Sequence, residues 1–95
     1  MANYRLTETA KEDLRRIYYY GMNQFGEAQA DNYFDALFER FGQIAENPML
    51  YPSVDYIRAG YRRSVCGVDS IFYRIVDNTV EIICILGRQD IDRIL

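Results

Sequence analysis

The side chains that could do chemistry in this sequence are mainly arginines. The chain has no histidine, and its eleven cations are Lys11 and ten arginines. A guanidinium group stays protonated in proteins, so it can hold a carboxylate or a phosphate through two nitrogens but cannot act as a general base. The second half of the chain holds six candidate contacts for an acidic target: Arg58, Arg62, Arg63, Arg74, Arg88 and Arg93. The alternative is a solvated face, with local ion pairs to Asp55, Asp69, Asp90 and Asp92.

Proton transfer would have to use tyrosine or glutamate. The predicted sheet offers Tyr61, Tyr73 and Glu81 for this purpose. A tyrosine hydroxyl has a pKa of about 10 and would need strong activation near neutral pH. Enzymes that depend on a histidine base are excluded, and we assign no catalytic residue.

Charge is unevenly distributed along the chain. The net charge is −3, but residues 8–46 carry four cations against eight carboxylates, and residues 47–76 carry four cations against two. An acidic chain is a poor non-specific ligand for nucleic acid, because that affinity comes from released counterions. The arginine-rich half could still meet a phosphate or an acidic protein surface.

Three apolar side chains near the end of the first predicted helix are candidate contacts for a partner. Tyr19 lies about 140° from the centre of the apolar stripe at Leu14, so we expect it to be exposed. Tyr20 and Met22 lie beside it in the sequence. An exposed aromatic residue can anchor a partner helix, although single exposed apolar residues are common and often have no role.

Other kinds of site are not indicated. Without histidine or a carboxylate cluster we expect no metal and no cofactor. Cys66 and Cys84 fall on the first and third of three predicted strands, which favours buried free thiols. No apolar run reaches the roughly 20 residues of a membrane helix, and the N-terminus does not resemble a signal peptide. We therefore expect a cytoplasmic protein.

The pattern of apolar residues predicts a single domain of one strand, two helices and three strands. Tyr4 to Thr7 alternates as a strand does, and a helix follows, with Thr9 and Glu12 as a capping box and Gly26 as its terminator. A second helix from about Glu27 to Glu46 has an apolar stripe: Ala30, Tyr33, Phe34, Leu37, Phe38, Phe41, Ile44 and Ala45. One glycine between the helices requires an antiparallel hairpin, and close packing of another backbone would explain Gly21.

The sequence after the second helix predicts an antiparallel meander of three strands. Strands are expected at 61–66, 70–76 and 80–86, with the last, nearly all apolar, at the centre of the sheet. Asp90 to Leu95 is a short tail, with at most one helical turn. The order is β-α-α-β-β-β, an α+β domain with a helical hairpin on one face of one small sheet.

A series of different short motifs runs along the whole chain. They are Leu6-Thr7 with Ala10 and Asp13-Leu14, Phe25-Gly26 with Ala30, Asn47-Pro48, Ile57 to Arg63, Gly67 with Phe72-Tyr73-Arg74, and Ile85-Leu86 with Arg88, Asp90 and Arg93. In this order and spacing the chain resembles the RelE/ParE superfamily of toxins from bacterial type II toxin–antitoxin systems, and is most similar to the ParE branch.

The resemblance implies one ParE-like toxin domain over residues 1–95. It implies a non-enzymatic toxin that binds DNA gyrase, blocks replication and causes growth arrest. The six arginines would contact gyrase, with Arg88 and Arg93 mattering for toxicity more than for stability. A cognate ParD-like antitoxin would neutralise the toxin in a hetero-oligomer, with Tyr19, Tyr20 and Met22 among its contacts. No membrane and no sequence-specific nucleic acid would be bound directly.

Two other functions fit the same resemblance. RelE-like members of the superfamily are ribosome-dependent endoribonucleases that cleave messenger RNA, a reaction that needs proton-transfer groups. A detoxified module that only binds an antitoxin is the second alternative. It is favoured by Asp69 and Gly87, which stand where many ParE-like chains carry histidine.

Overall fold

The computed structural model describes residues 3–87, and its order of elements confirms the predicted β-α-α-β-β-β arrangement. The elements are β1 (Tyr4–Leu6), α1 (Glu8–Phe25), α2 (Glu27–Glu46), a 3-10 turn (Pro48–Leu50), β2 (Arg62–Cys66), β3 (Asp69–Val76) and β4 (Thr79–Gly87). The bounds of α2 are those predicted from its apolar stripe and from Pro48. The predicted tail from Asp90 to Leu95, and the candidates Arg88 and Arg93, lie outside the described residues.

The N-cap of α1 is Thr7, not the predicted Thr9. The Thr7 hydroxyl accepts a hydrogen bond from the Ala10 amide at 3.0 Å and donates one to the Ile83 carbonyl at 2.6 Å. Its extended backbone, with φ −71° and ψ 165°, ends β1 and begins the helix. The capping box was wrong because β1 ends at Leu6, so the helix starts one residue after Thr7 and Thr9 is already helical.

A sharp reversal at Gly26 folds α1 and α2 into a hairpin. Gly26 has φ +92°, which favours glycine, and its amide donates to the Met22 carbonyl. The helices then approach closely at Gly21, where an added Cβ would lie 3.4 Å from the Ala30 Cβ. The expectation that another element packs against Gly21 is thus confirmed.

The four strands form one sheet in the order β1-β4-β3-β2. β2, β3 and β4 make the predicted antiparallel meander, and β1 lies parallel to β4 with Tyr4 opposite Val80. β4 is therefore central, as its apolar composition predicted. The register shifts between Phe72 and Tyr73, so β4 carries one extra residue there and twists locally.

The main core lies between the hairpin and one face of the sheet. Its largest members include Phe41 of α2 and Tyr73 of β3, both without exposed surface. A smaller cluster covers the opposite face, where the segment between the 3-10 turn and β2 places Val54 against Phe72 and Leu86. Neither helix in residues 3–87 combines the length and apolar character needed to cross a bilayer.

Side chains of α1 complete the edge of β4 beyond the end of β1. The Asp13 carboxylate, which is 4% exposed, accepts the Ile85 amide at 2.9 Å. Arg16 donates to the Ile85 carbonyl at 3.1 Å and forms an ion pair with Asp13. These contacts replace a strand neighbour, so the helical hairpin is fixed to the sheet by polar bonds as well as by apolar packing.

Candidate functional site

A groove separates the hairpin from the end of the sheet that holds the β2–β3 turn. Its volume is about 910 Å³. Tyr20 of α1, Tyr33 of α2, Val68 of the turn and Asp69 of β3 are among its lining residues. We call it the hairpin groove.

Several exposed apolar side chains line the hairpin groove, although others, such as Leu50 and Tyr56, lie elsewhere. Tyr20, Phe25 and Val68 are 62%, 60% and 82% exposed, and all line it. Exposed apolar side chains that share one groove mark an interaction site more often than scattered ones do. The groove therefore has the character of a protein-binding surface.

Of the three predicted partner contacts, one lines the hairpin groove and two do not. Tyr20 lines the groove, whereas Tyr19 and Met22 do not. Tyr19 is 62% exposed, as predicted, and packs edge-on against Tyr18 with ring centroids 6.2 Å apart. A helix places successive residues about 100° apart, so these neighbours in sequence face different directions. The partner contacts remain a prediction, with Tyr20 at the groove.

The groove floor is built around Tyr33. Its hydroxyl lies 2.8 Å from the Cys66 carbonyl and 2.8 Å from Asp69 Oδ2. Burial and the Asp69 carboxylate both raise the pKa of Tyr33, so the phenol stays protonated. Gly67 has φ +61°, and an added Cβ would lie 2.5 Å from the Tyr33 ring. Glycine is thus required there both by conformation and by the ring above it.

The sheet face turned away from the helices presents three arginines, Arg5, Arg63 and Arg74. Arg5 and Arg74 flank Glu81 and donate to its two carboxylate oxygens at 3.1 and 2.8 Å. Arg63 donates to the Ser70 hydroxyl at 2.9 Å, and its guanidinium carbon lies 6.0 Å from the centre of the Phe72 ring. We call this surface the arginine face.

The six candidate target contacts do not all share this face. Arg63 and Arg74 lie on it, whereas Arg62 pairs with Tyr73 on the helix-facing side and donates to the Tyr51 carbonyl at 2.6 Å. Arg58 belongs to the segment before β2. Arg88 and Arg93 lie outside the described residues. Alternation along a strand explains why Arg62 and Arg63 diverge.

Sequence reasoning missed Arg5 as part of this surface. The alternation of Tyr4, Arg5 and Leu6 was a signal that Arg5 points away from the core, but its neighbours depend on the pairing of β1 with β4. Neither Asp55 nor Asp69, suggested as ion-pair partners, pairs with a cation within residues 3–87. Asp55 accepts the Gly60 amide at 2.8 Å instead, and that bond holds the pKa of its carboxyl below the ordinary value.

The three residues considered for proton transfer are engaged in structural contacts. Tyr73 is fully buried, its hydroxyl donates to the Pro48 carbonyl, and burial raises its pKa to about 12. Tyr61 packs against the smaller apolar cluster. The bonds from Arg74 and Arg5 lower the pKa of Glu81, so it holds its proton less readily than a free glutamate.

The cysteines and acidic residues were searched for clusters that could bind a metal ion. No group of three or more metal-binding side chains occurs within residues 3–87. Cys66 and Cys84 are both buried and are not joined in a disulfide; Cys66 belongs to the main apolar cluster and Cys84 to the smaller one.

A family comparison identifies the kind of protein that carries these surfaces. The family described as the ParE toxin of the type II toxin–antitoxin system parDE matches residues 4–92. The chain belongs to the ParE toxin family. The resemblance stated from the sequence motifs is thereby confirmed, for the superfamily and for its ParE branch.

Two similar proteins agree with this assignment. Toxin ParE1 of Caulobacter vibrioides is 41% identical to this ParE-family chain over 89 residues, which are 94% of the chain and 92% of that protein. Toxin ParE1 of Mycobacterium tuberculosis strain H37Rv is 31% identical over 94 residues, covering 97% and 96%. Nearly the full length of each relative is thus represented.

Solved structures show the same fold. A chain of the chromosomal ParDE toxin–antitoxin system from P. aeruginosa superposes with a TM-score of 0.79 at 20% identity, covering 92% of this chain and 96% of that one. A chain of the toxin–antitoxin complex RelBE2 from Mycobacterium tuberculosis gives 0.69 at 24% identity, covering 92% and 98%. The predicted RelE/ParE-like α+β fold is confirmed.

Proposed function

We propose that this ParE-type toxin acts in the cytoplasm by binding DNA gyrase and blocking replication, and that a ParD-like antitoxin neutralises it. The arginine face supports the proposed binding to gyrase. It presents guanidinium groups, and the Glu81 carboxylate on this face already accepts hydrogen bonds on both oxygens. Such a face can grip an acidic or phosphate-bearing surface without moving a proton.

Target binding is assigned to Arg63 and Arg74 on this face, to Arg58 and Arg62 nearby in the sequence, and to Arg88 and Arg93. The strands hold the backbones of Arg63 and Arg74 in a fixed register, so the positions from which the two side chains extend are set before binding. The two ion pairs to Glu81 leave Arg5 and Arg74 about half exposed, with 52% and 49% of their side chains accessible. Their remaining nitrogens are available to an acidic partner.

Antitoxin binding is assigned to the hairpin groove. Its exposed aromatic and aliphatic side chains suit an apolar segment of a second polypeptide, and Tyr20 is the predicted contact that lies there. The two structural relatives come from a ParDE system and from a RelBE2 complex, which supports an antitoxin as the occupant. Arg63 of the arginine face also lines the groove, so the surfaces proposed for target and antitoxin meet at that side chain.

The contacts of the candidate proton-transfer groups support docking over ribonuclease activity. Glu81 is held as an ionised carboxylate by two arginines, and Tyr73 is sealed in the core. The position of Asp69 bears on the detoxified alternative. It lines the hairpin groove on the helix-facing side, so the loss of histidine there alters the proposed antitoxin surface rather than the arginine face.

Induction of the chain alone in bacteria tests this proposal. We expect growth arrest with DNA damage and altered supercoiling, intact messenger RNA, and relief when the antitoxin is co-expressed. The paired substitution Arg63→Ala and Arg74→Ala should weaken arrest while the domain still folds, with a modest drop in melting temperature from the lost contacts to Ser70 and Glu81. Arg15→Ala on the exposed side of α1 is the control. Rapid message cleavage with normal supercoiling would establish the ribonuclease alternative, and antitoxin binding without any growth phenotype would establish the detoxified one.

A further inference from the structure

A small cleft lies beside β2, the strand at one edge of the sheet. Its volume is about 280 Å³, and two arginines line it, Arg40 of α2 and Arg63 of β2. The other lining residues are uncharged: Tyr51, Pro52, Ser64 and Val65. We call it the β2 cleft. Among residues 3–87 no carboxylate lines it, whereas in the hairpin groove Asp69 lies beside two arginines.

Arg40 brings a positive charge to the β2 cleft that no carboxylate of residues 3–87 neutralises through an ion pair. Its Nη1 donates to the Ser64 hydroxyl at 2.9 Å and to the Val65 carbonyl at 2.6 Å. Its Nε donates to the Gln43 side-chain oxygen at 3.1 Å. These neutral acceptors hold the guanidinium in place, and both Nη2 hydrogens are left for a ligand.

Arg63 and Tyr51 are likewise positioned by contacts within the domain. Arg63 also forms no ion pair within residues 3–87, and its Nε donates to the Ser70 hydroxyl at 2.9 Å. Tyr51 is half-buried and packs edge-on against Tyr73, with ring centroids 6.4 Å apart. The Tyr51 carbonyl accepts a hydrogen bond from Arg62 at 2.6 Å. The β2 cleft therefore combines two uncompensated cations with one aromatic residue.

From this arrangement we propose that the β2 cleft binds the terminal phosphate of a nucleotide, either free or at the end of a nucleic-acid strand. A planar carboxylate is filled by the fork of one arginine, whereas a tetrahedral phosphate offers oxygens to guanidinium groups that come from two different elements. A terminal phosphate carries a charge of about −1.5 to −2 at pH 7. That charge matches two arginines better than the single charge of a phosphodiester does.

Tyr51 favours a nucleotide over other phosphorylated ligands, because a base can stack on an aromatic ring beside the phosphate. The net charge of −3 disfavours binding along the length of a nucleic acid, but not one phosphate held in a local cleft. The inference goes beyond the proposed function and stands without it, since Arg40 is assigned to neither gyrase nor the antitoxin.

The test is an NMR titration of the purified, isotope-labelled full-length chain at constant ionic strength. Inorganic phosphate is the first probe and thymidine monophosphate the second. Both should cause saturable shifts of the Tyr51, Ser64 and Val65 amides. The nucleotide should bind at least about fivefold more tightly than phosphate, as one stacked base provides. Thymidine without phosphate should bind far more weakly than either.

Substitutions of the two arginines test their part in binding. Arg40→Gln and Arg63→Gln should each weaken phosphate binding at least about tenfold, since each removes hydrogen bonds to a charged group. Arg40→Lys, which keeps the charge but loses the planar fork, should fall between Arg40→Gln and the wild type. Arg15→Gln, an exposed arginine of α1 outside the cleft, is the control and should bind as the wild type does.

Thermal melting without ligand shows whether each variant folds. If Arg40→Gln does not fold, the unsubstituted chain and Arg63→Gln still decide the question. The absence of a saturable shift would refute the site, and so would shifts centred on Arg5, Arg74 and Glu81, which would place the anion on the arginine face.

Two further comparisons test the class of ligand. Tighter binding of phosphoserine or succinate than of thymidine monophosphate would overturn the assignment to a nucleotide. Equal binding of a thymidine dinucleotide without a terminal phosphate would contradict the match of charge. A short strand with a terminal phosphate that binds more tightly than the mononucleotide would identify a strand end as the ligand, and equal binding would identify a free nucleotide.

Discussion

Replacing Asp13 with alanine should destabilise this domain strongly, because one buried carboxylate joins α1 to the edge of the central strand. Asp13 Oδ2 accepts the Ile85 amide at 2.9 Å, and both residues are buried. A hydrogen bond to a charged group contributes about 1.5–3 kcal/mol, and an unpaired buried donor costs about 1–3 kcal/mol. We expect a loss of about 3 kcal/mol, since these contributions overlap.

In a domain of this size such a loss should lower the melting temperature by about 12–24 °C, because each kcal/mol corresponds to about 4–8 °C. Asp13→Asn should lose less than half as much, because its amide oxygen can still accept the Ile85 amide. Asp35→Ala, at an exposed position of α2, should change stability by no more than about 0.5 kcal/mol. Urea unfolding followed by circular dichroism measures all three free energies.

A result within about 1 kcal/mol of the wild type for Asp13→Ala would refute this reasoning, since an ordinary surface hydrogen bond contributes that much. It would mean that water replaces the carboxylate at the edge of β4. Equal losses for the alanine and asparagine variants would also count against it, because they would show that the acceptor oxygen is not what matters.

Three further effects are expected on stability, each measured by urea unfolding. Gly67→Ala should lower the free energy of unfolding clearly more than Gly60→Ala does. Both glycines have positive φ, but of the two only Gly67 lies against the Tyr33 ring, so equal losses would contradict this close approach. Tyr73→Phe should lower the free energy of unfolding by about 1 kcal/mol at pH 7. Folding raises the pKa of Tyr73 from 10.0 to about 12, so its hydroxyl stabilises the wild type below pH 10 and loses that effect as the pH rises to 12. The difference between wild type and variant should therefore close over that range, and a difference that is constant with pH would contradict this. Glu81→Gln should lower the free energy of unfolding by up to about 1 kcal/mol at pH 7 and leave it unchanged in strong acid. Folding lowers the pKa of Glu81, so the carboxylate stabilises the fold above its unfolded value of 4.5 and loses that effect as the pH falls through its folded value. A loss that persists in acid would show that charge is not the cause.

The elements of this fold could be predicted where local pattern decides them. The apolar stripe of α2, with one glycine before it and Pro48 after it, gave bounds that the structure reproduces. The N-cap was misplaced because the choice between Thr7 and Thr9 depends on where β1 stops, and that is set by pairing with a strand some 75 residues away in sequence. Local spacing carries no information about that contact.

The candidate surfaces were harder to predict, because they are assembled from distant elements. The exposure of Tyr19 followed from helical geometry, but the place of Tyr20 in a groove depends on how the hairpin tip meets the β2–β3 turn. Asp13 gave no sign of being buried, since an acidic residue in the first turns of a helix is ordinarily solvated. The list of arginines, likewise, could not show that Arg62 and Arg63 point to opposite faces of one strand.

Purified components test the central claim most directly, namely that this toxin disables its target by docking. The measurement is supercoiling of relaxed plasmid by purified DNA gyrase, with increasing amounts of the chain and an RNA substrate in the same reaction. The account predicts inhibition that saturates at stoichiometric amounts of toxin, is reversed by the antitoxin and leaves the RNA intact. Full gyrase activity in the presence of excess toxin, or repeated cleavage of RNA by each toxin molecule, would contradict it.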